Sequence, residues 1–186
     1  MPIIDPGLVV AFILNRRNKN YLSQAKSFHK PHSVNPFVKA IRGALDILPL
    51  LQNQFILEIG SEGGSASLGL RDCVRTDLAP LPDLDVVCDA TSLPFRDQVF
   101  DRTWGVYIAH HVVDLRTLIS EARRVSEKLY LFDFLPNSYI HYYSKIWDWL
   151  IFNTPVKAVN PQALYKIAPN HRVYKRSHLG TILYVF

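Results

Sequence analysis

The chain has 186 residues, 48% of them apolar, and a formal net charge of +5. That length and apolar share fit one folded domain and exclude wholesale disorder. The basic excess is modest and scattered, apart from Arg172, Lys175 and Arg176, so charge alone gives no footing for a nucleic-acid binder.

Cys73 and Cys88 form no CxxC pair, and no His/Cys set has zinc-ligand spacing. Cys88 reads as a buried free thiol in an apolar run. Both cysteines suit a reducing compartment, and a cytoplasmic location is expected. The apolar run Leu8 to Leu14 has no basic residue before it and no small-residue cleavage site. It reads as a poor signal peptide and is too short to span a bilayer.

In chain order, residues 1–33 read as an N-terminal arm interrupted by Pro2, Pro6 and Pro31, with the folded domain at 34–186. Asn35-Pro36 is a helix start, cap and first helical position, followed by Phe37, Ile41, Ala44, Leu45 and Leu48 at helical spacing up to Pro49. A strand is expected over 55–59, then a glycine-rich turn, then a short helix or turn to Leu70. Short strands follow at 73–76 and 85–88, with Ala79-Pro80-Leu81-Pro82 leaving no room for a full helix between them. A longer strand spans 100–107. Asp114 caps a helix with Leu115, Leu118, Ile119, Ala122 and Val125 on one face. A strand at 128–134, an aromatic-rich helix from Ser138 to about Phe152, and two strands at 171–177 and 179–186 complete the reading. The alternation argues for an α/β fold with a mostly parallel sheet and helices on both faces.

In such sheets a ligand sits beyond the C-terminal ends of the strands. Three successive strands here end in an acid: Glu58, Asp77 and Asp89. A carboxylate there can accept two hydrogen bonds from ribose hydroxyls, or one from an adenine amine with the next N–H, that of Ala90, reaching a ring nitrogen. Gly60, Glu62 and Gly64 do not make a dinucleotide fingerprint, and no P-loop Gly-Lys-Ser/Thr is present. A nucleoside without phosphates suits this acidic rim.

From Phe55 to Phe134 the chain resembles the class I S-adenosylmethionine-dependent methyltransferases of the type-11-like branch. The residues that carry the resemblance are Leu57-Glu58-Ile59-Gly60-Ser61-Glu62-Gly63-Gly64, Thr76-Asp77-Leu78, Asp89-Ala90-Thr91-Ser92-Leu93-Pro94-Phe95 with Phe100-Asp101, and His110-His111-Val112-Val113-Asp114 leading to Glu121-Ala122-Arg123-Arg124-Val125. The resemblance implies a Rossmann-like three-layer α/β/α sandwich whose seven-stranded sheet has its last strand antiparallel. It implies S-adenosyl-L-methionine as cofactor. Glu58, Gly60, Ser61 and Gly64 would surround its methionine portion, Asp77 and Leu78 its ribose side, Asp89 and Ala90 its adenine. Val106 and Tyr107 would lie near the sulfonium. The chain departs from the family at Glu62, which replaces a loop glycine. The covering segments are short, and Val125-Ser126-Glu127-Lys128 stands where a Pro-Gly-Gly turn is usual.

Methyl transfer from a sulfonium needs orientation first, and a base only for a hydroxyl or protonated amine. His110 and His111 are the candidate bases. The aromatic helix with Tyr139, Tyr142, Tyr143, Ile146, Trp147, Trp149 and Leu150 is either core and dimer contact or one wall of an apolar or aromatic acceptor pocket. The expected partner is a small-molecule acceptor, not nucleic acid; a homodimer is compatible, and no integral membrane segment or metal is expected. Glu62 motivates an alternative, a methyltransferase-like binding or scaffold protein without catalysis. A weaker reading is RNA binding by the basic C-terminal hairpin.

Overall fold

The computed structural model describes residues 48–61, 70–81, 84–152, 159–176 and 180–186. The side chains of 48, 147, 148, 151, 152 and 174–176 are outside the described set. So are the N-terminal arm, the helix expected from Asn35, and Glu62 to Gly64 of the glycine turn.

After a 3-10 turn at Leu48–Leu50 the elements run β1 Ile56–Ile59, β2 Cys73–Asp77, β3 Val86–Val87, β4 Phe100–Val106, α1 Leu115–Val125, β5 Ser126–Phe134, α2 Tyr139–Phe152, α3 Pro161–Ile167, β6 Arg172–Arg176 and β7 Thr181–Val185. The sheet has seven strands in the order β3-β2-β1-β4-β5-β7-β6. β1 pairs in parallel with β2 and β4, and β5 pairs in parallel with β4. β7 runs antiparallel to both β5 and β6, as expected for the last strand.

The period of two in the strands divides the core between the faces of the sheet. Leu57, Ile59, Leu129, Leu131, Ile182 and Tyr184 belong to one buried cluster. Their neighbours in sequence, Ile56, Tyr130, Phe132 and Leu183, belong to the other. α1 lays Leu118, Ile119, Ala122 and Val125 on the first cluster. Each fully buried Leu or Ile side chain stabilises the fold by roughly 1.5–3 kcal/mol. Asp114 caps α1 by accepting from the Thr117 N–H at 3.1 Å.

Two elements differ from expectation. β5 starts at Ser126, directly after α1, because Phe100 pairs with Ser126 and extends the ladder. No glycine turn is needed there because Gln98 caps the end of α1. Its Nε2 donates to the carbonyls of Arg123, Arg124 and Ser126, and its own φ of 53° turns the chain to reach them. α3 was not expected. Its signal is plain in retrospect: Asn160 caps by accepting from the Gln162 N–H, and Pro161 takes the first turn. Among the described residues no helix is long and apolar enough to cross a membrane.

Candidate active site

The strand order reverses between β1 and β4, and a parallel sheet opens a crevice at such a switch point. The pocket lies there. It is lined by Gly60 after β1, by Thr76, Asp77 and Leu78 at β2, by Cys88, Asp89 and Ala90 after β3, and by Tyr107, Ile108, His111 and Val112 after β4.

Each wall has a local cause. Gly60 adopts φ +66°, the left-handed region that favours glycine. A Cβ there would stand 2.8 Å from Ile108 Cδ1, so the absence of a side chain is what lets β1 and the β4 turn meet. Asp77 Oδ1 accepts from the Ala79 N–H at 2.9 Å, and Asp89 Oδ1 accepts from the Thr91 N–H at 2.8 Å. These turns fix one oxygen of each carboxylate at the rim. Tyr107 carries φ +56°, a strained conformation for a bulky residue, and such strain gathers at functional sites. Its ring stacks on Phe134, centroids 4.4 Å apart.

Of the residues anticipated from sequence, Gly60, Asp77, Leu78, Asp89, Ala90, Tyr107 and His111 meet in this pocket. Glu58 and Ser61 are buried just behind it. Ser61 Oγ donates to Glu58 Oε2 at 2.8 Å, and the Thr76 hydroxyl donates to the Glu58 carbonyl at 2.9 Å, tying the ends of β1 and β2 together. Val106 packs with the Trp104 and Phe132 cluster instead. Gly64 lies outside the described residues.

His110 is closed to solvent, its side chain 3% exposed. Its Nδ1 lies 3.0 Å from Asp133 Oδ1, and its backbone N–H donates to Asp133 Oδ2 at 3.1 Å. A carboxylate only accepts, so Nδ1 carries a proton in this contact. Asp133 is wholly buried, and the Phe134 N–H also donates to it, at 2.7 Å, which offsets part of the cost of burying the carboxylate. The His111 ring packs against His110, centroids 4.0 Å apart. Sequence reading missed Asp133, Thr76, Cys88, Ile108 and Val112. Asp133 gives a weak signal, one acid in an apolar strand, and the pairing spans 23 positions.

The electrostatics favour a cation. Asp77 and Asp89 stand at the rim while the other titrating groups stay neutral. Burial pushes the Cys88 thiol up to about 12, against the Thr76 hydrogen bond and with help from Asp89 and Asp77. Burial, and then Asp133, raises Tyr107 far above the ordinary phenol value. Desolvation and the adjoining His110 hold His111 well below the ordinary imidazole range, although Asp133 pulls the other way. The ring is nonetheless exposed on its pocket side, where water offsets part of that desolvation, and there it can hydrogen-bond to a ligand. A neutral set with two acids suits a sulfonium better than a phosphate.

A second recess of about 380 Å³ lies between α1 and the loop after β3, lined by Thr91, Ser92, Arg116, Thr117, Ser120, Glu121 and Arg124. Its functional-looking pair is structural. Arg124 donates to Glu121, Asp97 and the Leu93 and Phe95 carbonyls, clamping that loop to α1. Among the described residues no His/Cys/Asp/Glu group could hold a metal ion.

The family model described as a methyltransferase domain matches residues 57–128, which run from β1 into β5 and include every residue of the pocket. Residues 57–128 are therefore similar to a methyltransferase domain. The family's cofactor is S-adenosylmethionine, and its activity is methyl transfer. Solved structures share the fold. A SAM-dependent methyltransferase from Thermotoga maritima is 12% identical, with TM-score 0.64, over 88% of this chain and 97% of that one. Magnesium protoporphyrin IX methyltransferase from Synechocystis PCC 6803, solved with bound SAH, is 12% identical, with TM-score 0.59, over 97% and 98%. The YcgJ protein from Bacillus subtilis is 17% identical, with TM-score 0.58, over 74% and 71%. At these identities the likeness is one of fold. No curated protein matches the sequence. The methyltransferase pocket therefore has to be read from its own residues.

Proposed function

We propose that this methyltransferase transfers the methyl group of S-adenosylmethionine to a small apolar or aromatic molecule. The observation that carries the reading is the meeting of Gly60, Asp77, Asp89, Tyr107 and His111 at the β1/β4 switch point. Asp77 would accept from the ribose hydroxyls. Asp89 and the Ala90 N–H would hold the adenine. Gly60 would let the backbone approach the methionine portion, with Glu58 and Ser61 bracing that turn from behind. The cofactor, when bound, supplies an already activated methyl group.

The remaining work is orientation, which supplies most of the rate in such a displacement. Tyr107 and His111 flank the space beside the cofactor. A His111 held neutral adds no charge beside a sulfonium, and it can accept a hydrogen bond from a hydroxyl of the acceptor. His110 is closed to solvent, so it acts through His111. Asp133 holds His110, and His110 supports the ring that faces the pocket. The stacked Tyr107 and Phe134 rings and the adjoining Ile140 make that side apolar, which favours an apolar or aromatic acceptor.

Isothermal titration with S-adenosylmethionine and S-adenosylhomocysteine tests the reading. Micromolar binding of both is expected, and no heat at millimolar ligand would sink it. The alternative of a non-catalytic binding protein rests on Glu62 in the sequence. Glu62→Gly should leave affinity within about twofold if that acid faces solvent; a gain of a hundredfold would favour the alternative.

A further inference from the structure

We propose that His141 is a binding residue for the methyl acceptor, and that the acceptor is an apolar or aromatic molecule carrying a hydrogen-bond-accepting oxygen. This deepens the proposed function and rests on it for the acceptor side of the pocket.

His141 stands in the first turn of α2 and is 5% exposed. Local contacts hold it. Its Nδ1 accepts from the Asn137 N–H at 3.0 Å, and its own backbone N–H donates to Ser138 Oγ at 3.2 Å. Asn137 takes φ 60° in the turn that makes this contact. A neutral imidazole that accepts at Nδ1 carries its proton on Nε2. The ring is neutral near pH 7, because desolvation, and then Lys145 and His110, lower its pKa against the pull of Asp133. Nε2 is buried and has no hydrogen-bond partner among the described residues. A donor is therefore held in one tautomer with nothing to donate to. Burying such a group costs roughly 1–3 kcal/mol, and native proteins leave few of them without a use.

The surroundings of this donor belong to the pocket. His110 and Asp133, which act on it electrostatically, sit beyond the end of β4 and near the end of β5. The neighbouring Ile140 packs with Phe134 and Tyr107. Tyr107 lines the pocket, as does His111, whose ring packs on His110. Asp77 and Asp89 stand on the other side of β1, at β2 and after β3. His141 is thus on the side of the pocket away from the rim acids. The other polar groups there are engaged, since Asp133 accepts from His110 Nδ1, the His110 N–H and the Phe134 N–H. An apolar wall with one uncommitted N–H complements an apolar body bearing an oxygen acceptor. A site built to hydrogen-bond one group of a ligand also rejects the analogue that lacks it.

The test titrates the full chain with acetophenone, benzoate and toluene, with and without S-adenosylhomocysteine, and follows the histidine rings by proton and nitrogen-15 NMR. The wild type should bind acetophenone or benzoate at least tenfold more tightly than toluene, and the His141 Nε2–H resonance should move as the probe fills the site. A preference for acetophenone marks a neutral carbonyl, and one for benzoate marks an acid. His141→Phe keeps a ring and removes the donor, so its preference should shrink to within twofold. The proposal is overturned if the wild type binds toluene as tightly as both oxygen-bearing probes, if His141→Phe keeps the preference, or if the His141 ring carries its proton on Nδ1. It is also overturned if the probes leave the Nε2–H resonance unmoved, as a permanently held water would. That measurement is made on the wild type and decides the matter even if His141→Phe fails to fold. S-adenosylhomocysteine affinity, measured without probe, reports separately on the methyl-transfer reading.

Discussion

Gly60 and Asp133 carry the site at the scale of single residues. Gly60→Ala meets two obstacles at once: a left-handed φ and a Cβ 2.8 Å from Ile108. The φ alone costs roughly 1–2 kcal/mol, so urea unfolding should show at least that loss of stability. S-adenosylhomocysteine affinity should fall with it, because Ile108 lines the pocket and would have to shift. Asp133→Asn replaces an acceptor of three hydrogen bonds by a group that is half donor. With its oxygen at the Oδ1 position the amide still accepts from His110 Nδ1–H and the Phe134 N–H, and its NH2 group then faces the His110 backbone N–H, donor against donor. Nitrogen-15 NMR should therefore show the His110 backbone amide shifted in the variant while the ring keeps its proton on Nδ1. A cost on the order of 1–3 kcal/mol in stability should accompany the change.

Among the elements, α1 and the loop after β3 depend on one clamp. Arg124 reaches Glu121, Asp97 and two carbonyls of that loop with three nitrogens. Lysine carries the charge without the fork. Arg124→Lys should therefore fail to rescue: both Arg124→Lys and Arg124→Met should lose about 1–3 kcal/mol in thermal unfolding, with the loop carrying Asp89 and Ala90 opening first in hydrogen exchange. The caps at Asp114 and Asn160 are local chemistry and legible in sequence. The cap supplied by Gln98 to the end of α1 comes from a residue more than twenty positions away and cannot be read locally. Likewise β7 closes on the start of α2 through Gly180 at φ +89°, whose carbonyl accepts from the Leu135 N–H and where a Cβ would collide with Ser138.

For the whole molecule, protonation links the site to stability. His141 is buried with its Nδ1 accepting from the Asn137 N–H, and desolvation, Lys145 and His110 lower its pKa. His111 is lowered as well. Both rings bind fewer protons in the folded protein than in the unfolded chain, whose imidazoles titrate near about 6.5. Stability is then fully present above that pH and falls as the pH drops below it. The urea midpoint should decline from about pH 6.5 downward, and His141→Gln should flatten the decline over its first unit. A profile flat between pH 7 and 5 would refute the linkage.

The sequence by itself determined the α/β class, the strand that ends in Asp77, the acid Asp89 just beyond the next strand, the glycine turn at Gly60 and the likeness of residues 57–128 to a methyltransferase domain. These are signals of local spacing and backbone chemistry, and they are written in neighbouring residues. The tertiary structure alone decided three things. It brought Asp133 to His110 across two strands, because β4 and β5 end at the same edge. It put Thr76, Cys88 and Ile108 into the pocket wall, because the switch point lies between β1 and β4. It turned the aromatic side of α2 outward, because Ile140, His141 and Ser144 took the inward face, and periodicity shows that a helix has a face without showing which one the fold will cover.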